Sequence, residues 1–222
     1  MKCSGLQRHS YSLLYSICRI ASIAGITCLT GVRHFNVPDI SRFDGVLFAS
    51  NHQSFLDPVL VGIGLERPVH YLAKQGLFEI PGLGWLIRRL GAHPIRRGKV
   101  DSTAIRTTLQ VLRSGEPLLI FPEGTRTETG DLRKMRPGIG SIALRCHVPV
   151  IPVCIEGAFR SWPRNRKLPR PAWVAVRYGN AIQPDQKNGN ELTKLITAQI
   201  QTMQFQLNSY LGRKMDFKRS HG

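Results

Sequence analysis

From Val46 onward, unbroken apolar runs of four to eight residues alternate with stretches whose apolar residues recur every three or four positions, the rhythm of strands followed by amphipathic helices. VLFAS at 46–50, VHYLA at 69–73, PLLIF at 117–121, VPVIPVCI at 148–155 and residues 173–178 read as strands, with a shorter one at His93-Pro94-Ile95. Asp57-Pro58 opens a helix, with an acid at the cap and proline in the first turn. Residues 78–90 hold Pro81, Gly82 and Gly84 and allow only a short helix. Asp101-Ser102 starts a longer one, with Ala104, Ile105, Leu109 and Leu112 on one face and Gly115 as its stop. Pro137 opens another that runs through Arg145, and Leu192, Ile196, Met203 and Leu207 predict a last helix over 191–211. The prolines of VPVIPVCI place that strand at an edge or a bulge.

These elements predict a single α/β domain over 46–211, a mostly parallel or mixed sheet flanked by helices, with a helical segment before it (1–45) and a polar tail after it (212–222). In the leading segment, residues 11–32 as a helix reach ~33 Å at ~1.5 Å per residue, just enough for a hydrocarbon core. Arg19 near the middle, together with five serines and threonines, argues against a span. Leu13, Ile17, Ile20 and Ala24 recur at helical spacing, so an in-plane membrane anchor is expected, with packing on the chain's own domain as the alternative. No small-x-small cleavage site follows, so the segment is expected to stay in the mature protein.

Charge strengthens the membrane expectation. Lys+Arg number 31 against 14 Asp+Glu, a formal net charge of +17, so the surface attracts polyanions or anionic lipid. Five scattered cysteines without a CxxC pair resemble neither a disulfide framework nor a zinc site, which fits a reducing, cytosolic setting.

Two loops carry chemistry. Asn51-His52-Gln53-Ser54-Phe55-Leu56-Asp57 leaves the first strand with a histidine five residues before an acid. A histidine near neutrality accepts a proton, and a neighbouring carboxylate fixes its tautomer and stabilises the imidazolium, so His52 and Asp57 are the expected base and its partner. Ser54 is expected to be a bystander. Phe121-Pro122-Glu123-Gly124-Thr125-Arg126 leaves a later strand, where a glycine turn offers backbone donors and Arg126 grips phosphate oxygens. Glu123 either accepts from a substrate hydroxyl or holds Arg126. Gly91 to Arg97 ends in paired arginines, and Arg97 is expected to reach the same phosphate. Nothing stands at ligand spacing from His52 to suggest a metal, and no G-x-S-x-G elbow suggests a serine triad.

These blocks resemble the glycerolipid acyltransferases, specifically the 1-acylglycerol-3-phosphate (lysophosphatidate) acyltransferases. N-H-x-x-x-x-D and F-P-E-G-T-R are both intact, residues 91–97 are similar to the family's second block, and 148–153 to its fourth. His93, Pro94 and Arg96 depart from the usual second block. The resemblance implies direct acyl transfer from an acyl-CoA or acyl carrier protein thioester to a lysophospholipid hydroxyl, giving phosphatidic acid. In it His52 and Asp57 are catalytic, while Arg97, Glu123, Gly124, Thr125 and Arg126 hold the acceptor. It implies no cofactor beyond the thioester substrate, and a protein seated on the cytoplasmic face of an anionic membrane. The basic rim of Arg88, Arg89, Arg160, Arg164, Arg166, Lys167 and Arg170 would face the headgroups, with Trp162 either at the interface or a plain packing residue. Rival readings are acylation of glycerol-3-phosphate or another lysolipid such as a lyso-aminolipid. From another class comes a nucleic-acid-binding protein, for which no stacking platform or known fold is visible.

Overall fold

The structure, a computed structural model, describes residues 13–96, 102–184 and 188–220, without the side chains at 14 and 215–220. Its strands are β1 Arg33–Phe35, β2 Val46–Ser50, β3 His70–Lys74, β4 Ala92–Ile95, β5 Pro117–Ile120, β6 Val150–Glu156 and β7 Ala175–Tyr178. They form one mixed sheet in the order β1-β7-β6-β2-β5-β3-β4, parallel throughout except between β6 and β7.

Helices cover both faces. On one side α1 (Leu13–Leu29) and α2 (Asp57–Ile63) pack on Val46, Phe48, Ile151 and Val153. On the other, α4 (Ser102–Arg113), α5 (Gly138–Cys146) and α7 (Gly189–Ser220) pack on Leu47, Ala49, Val150 and Cys154. All five residues of β2 are buried. A strand covered on both faces loses the polar and apolar alternation, which is why VLFAS reads as one apolar run. Fully burying Phe48 or Leu47 stabilises the fold by roughly 1.5–3 kcal/mol each. The connection from β3 to β4 holds a 3-10 turn at Gln75–Leu77 and the short α3 (Leu83–Arg89), and α6 (Ala158–Ser161) follows β6.

Four elements refine the expected pattern. β6 is internal, and its proline is accommodated by a bulge: residues 150–153 face residues 178–182 of the antiparallel partner, one residue longer. Pro152 thus needs no donor there, while its carbonyl accepts from the Gly179 N–H at 2.7 Å. β1 had no counterpart in the sequence reading, being too short for a periodic signal, and it borders β7. α7 runs to Ser220 and does not yield to a tail at residue 212. In α4 the buried set is Ala104, Thr108, Val111 and Leu112, because Ile105 turns toward a cavity.

α1 is 17 residues long, and no helix among the described residues is long and apolar enough to cross a membrane. Its inner face packs on α2, where the Arg19 guanidinium donates to the carbonyls of Ile63 and Leu65 at 3.2 Å each. Leu13, Ile17, Ile20 and Ala24 all face outward. The four described cysteines carry free thiols.

β2 and β5 lie side by side in register, Ala49 opposite Ile120. Their parallel course delivers the two motif loops to the same edge of the sheet.

Candidate active site

The loop after β2 turns away from the sheet without leaving β6 unsatisfied. Asn51 takes over the next rung of the ladder: its amide donates to the Ile155 carbonyl and its oxygen accepts from the Ile155 N–H, both at 2.8 Å. His52 is then held through its own backbone, the N–H donating to Glu123 Oε1 at 2.9 Å and the carbonyl accepting from Thr127 N–H at 2.8 Å. Asp57, at the start of α2 and fully buried, folds back over the turn. Its Oδ2 accepts from the N–H groups of Gln53 at 2.6 Å and Ser54 at 2.7 Å, and lies 2.7 Å from His52 Nδ1. The expected pairing of His52 with Asp57 is present in the geometry. The carboxylate caps the loop that precedes its helix, and the N-cap residue itself is Leu56.

Because a carboxylate accepts, the proton of a neutral His52 belongs on Nδ1, which leaves Nε2 with the lone pair. The ring stacks on Phe121, centroids 4.0 Å apart at 18°, so it cannot swing freely. A fixed imidazole with one basic nitrogen suits proton removal from a hydroxyl.

Glu123 is buried where the two loops meet. Its two oxygens accept from backbone N–H groups, His52 at 2.9 Å and Arg133 at 3.3 Å, so the carboxyl staples the two motif loops together. Burial pushes its pKa up to about 7, with the nearby Asp57 charge acting in the same direction and the two N–H donors opposing.

Arg126 lies with its Cζ 3.4 Å from the centroid of Phe55, a close cation–π contact. Phe55 is 45% exposed and meets Trp162 at 5.3 Å. Ser54 joins the same assembly, donating to the Trp162 carbonyl at 2.9 Å, so it ties the catalytic loop to the basic loop and is no structural bystander. Arg164 reaches Thr125 Oγ1 at 3.5 Å and Glu128 at 3.6 Å. Arg88, Arg89, Arg160, Arg164, Arg166, Lys167 and Arg170 are exposed, as a rim requires. Arg97 lies outside the described residues.

Beside His52 opens a cavity of about 380 Å³ between the sheet and the helices α4 and α5. Its wall is apolar, with Leu72, Ile95, Ile105, Leu119, Ile139 and Ile142, and its cations are Arg96 and Arg136. Sequence reasoning passed over Asn51, Gln53 and Arg136. Gln53 is buried and spans three segments: its amide donates to Gly130 carbonyl at 2.9 Å and Glu156 at 3.1 Å, and its oxygen accepts from Phe159 N–H at 3.2 Å. The only hint available for it was its place between two motif residues.

Comparison with known proteins agrees with this geometry. Residues 33–156 match the acyltransferase family. A chloroplastic 1-acyl-sn-glycerol-3-phosphate acyltransferase of Brassica napus is 32% identical over 121 residues, 53% of this chain and 34% of its own length. The chain therefore spans about a third of that relative. A lyso-ornithine lipid O-acyltransferase of Pseudomonas aeruginosa is 39% identical over 112 residues, 50% of this chain and 43% of its own. The crystal structure of the 1-acyl-sn-glycerophosphate acyltransferase PlsC from Thermotoga maritima superposes with a TM-score of 0.76 at 26% identity, covering 87% of this chain and 79% of that one. With more than half its length matched, and with the motif histidine and aspartate in contact at the sheet edge, this chain belongs to the acyltransferase family.

Proposed function

We propose that this protein transfers an acyl group from an acyl-CoA or acyl carrier protein thioester to the free hydroxyl of 1-acylglycerol-3-phosphate, forming phosphatidic acid. The observation that carries the reading is the His52–Asp57 contact of 2.7 Å at the mouth of an apolar cavity. The acyl chain of the donor lies in that cavity with its carbonyl near His52. Nε2 takes the proton of the acceptor hydroxyl as the oxygen attacks the thioester carbon. The tetrahedral adduct collapses with loss of the thiolate, which recovers the proton from the imidazolium. Asp57 orients the ring and stabilises its cationic form, and no acyl-enzyme forms. Glu123 and Gly124 shape the turn that holds the acceptor, with Thr125 beside it, and Arg126 and Arg97 attract its phosphate.

The outward stripe on α1 and the basic rim support docking on an anionic bilayer from the cytoplasmic side, where a lipid acceptor and product reside. A second reading, acylation of a lyso-ornithine lipid, draws on the 39% identity to the Pseudomonas aeruginosa relative.

The test is purified full-length chain in mixed micelles with acyl-CoA and three acceptors: lysophosphatidate, lyso-ornithine lipid and glycerol-3-phosphate. The proposal expects lysophosphatidate to have the highest kcat/KM. Faster turnover of the lyso-ornithine lipid establishes the second reading, and turnover of none rejects both.

A further inference from the structure

Gly124 has φ +74°, and a Cβ built there falls 2.9 Å from Cζ, Nε and Nη2 of Arg136. The absence of a side chain therefore lets a guanidinium rest directly on the turn that follows β5. Arg136 is fastened there from its other end, its N–H donating to the Pro122 carbonyl at 3.0 Å. Its side chain makes no hydrogen bond or ion pair with another described residue, yet it lines the cavity that His52 lines. Arg126 lies over Phe55 and is not among the residues that line this cavity.

We propose that Arg136 is a headgroup-binding residue that takes the anionic phosphate of the acceptor while the acceptor's hydroxyl lies at His52. The assignment rests on the function proposed above. In a glycerol phosphate the reacting hydroxyl and the phosphate are only a few covalent bonds apart, so the phosphate of an acceptor held at His52 lies within reach of a cation in the same cavity. The phosphates of a coenzyme A donor are separated from its thioester by the long pantetheine arm and do not meet that condition. Gly124 is then a specificity residue in its own right, because any side chain there displaces the guanidinium.

Equilibrium binding and turnover together test this. Lysophosphatidate and the matching monoacylglycerol, which has the same chain and lacks the phosphate, are titrated in detergent micelles into the wild-type chain, Arg136→Ala and Arg136→Lys. Arg136→Ala is expected to weaken lysophosphatidate binding about 30-fold, in the range of a lost charge-assisted contact. Monoacylglycerol binding and the KM for acyl-CoA should stay within about 2-fold, and Arg136→Lys should recover part of the loss. An equal loss for both lipids, or no loss for lysophosphatidate, overturns the assignment. So does a rise confined to the acyl-CoA KM. A wild type that binds the phosphate-bearing lipid through Arg136 but acylates nothing refutes the proposed reaction and leaves the binding site standing.

Discussion

In the loop after β2, polar groups are committed before any substrate arrives. Asn51 is bonded to β6, His52 to Glu123 and Thr127, and Gln53 and Ser54 to Asp57. The cations stand differently: Arg136, against the turn after β5, and Arg164 and Arg166, in the basic loop, are exposed. The difference separates two tasks. Moving a proton, the role proposed for His52, depends on angles and distances that must exist beforehand, and buried hydrogen bonds supply them. Attracting a charged headgroup needs positive potential in reach of solvent, and the substrate itself completes the geometry.

Breaking the rigid side should cost most. Asp57→Ala removes three hydrogen bonds on Oδ2 and the charge, and is expected to lower kcat about 1,000-fold while also reducing thermal stability. Asp57→Asn sharpens the comparison, since an amide oxygen in the Oδ2 position keeps the acceptor and loses the charge, while its NH2 takes the buried Oδ1 position, which has no hydrogen-bond partner among the described residues. Its kcat should fall about 10- to 100-fold, with a smaller loss of thermal stability than in Asp57→Ala. Equal rates for the two variants would show that the carboxylate matters for loop shape and not for the imidazolium.

Among the cations, half-buried Arg126 lies over Phe55, and Arg126→Ala should raise the acceptor KM roughly 10-fold while changing the thioester KM less than about 2-fold, as expected for loss of a charge-assisted contact. Parallel rises in both constants would mean that the Phe55 stack holds the loop in shape.

Glu123 joins the two sides, and its titration is measurable as stability. Its neutral form is favoured by folding, because the folded pKa is raised from 4.5 to about 7. The stability it contributes is therefore complete below about pH 4.5 and is lost as pH rises through about 7. Chemical unfolding at a series of pH values should show the wild type weakening over that window and Glu123→Gln following a flatter course. Parallel curves would remove Glu123 as the source.

The smallest effect on turnover is expected on α1. Substituting Leu13, Ile17 and Ile20 together by serine should reduce co-sedimentation with anionic vesicles several-fold and leave micellar turnover within about 2-fold. Unchanged sedimentation would assign docking to the basic rim alone.

Much of the sheet was legible because strands buried on both faces leave unbroken apolar runs, and the pairing of His52 with Asp57 was legible because both lie in one short loop. What escaped depends on partners distant in the chain. Asn51 looks like an ordinary turn residue until Ile155, 104 positions away, is beside it. The prolines left edge and bulge both open for β6, because the extra residue in 178–182 that accommodates Pro152 belongs to another element. The backbone N–H groups of His52 and Arg133 that the Glu123 carboxyl accepts from meet it only in the assembled loops. Arg136 matched no motif; its position follows from a positive φ at Gly124.

Single-turnover acyl transfer by His52→Ala, at saturating lysophosphatidate and with the fold checked by its unfolding temperature, tests the proposed role of His52 as the base that acts directly on the acceptor hydroxyl. The predicted result is a rate at least about 100-fold below wild type. A folded variant within about 3-fold of wild type would contradict it.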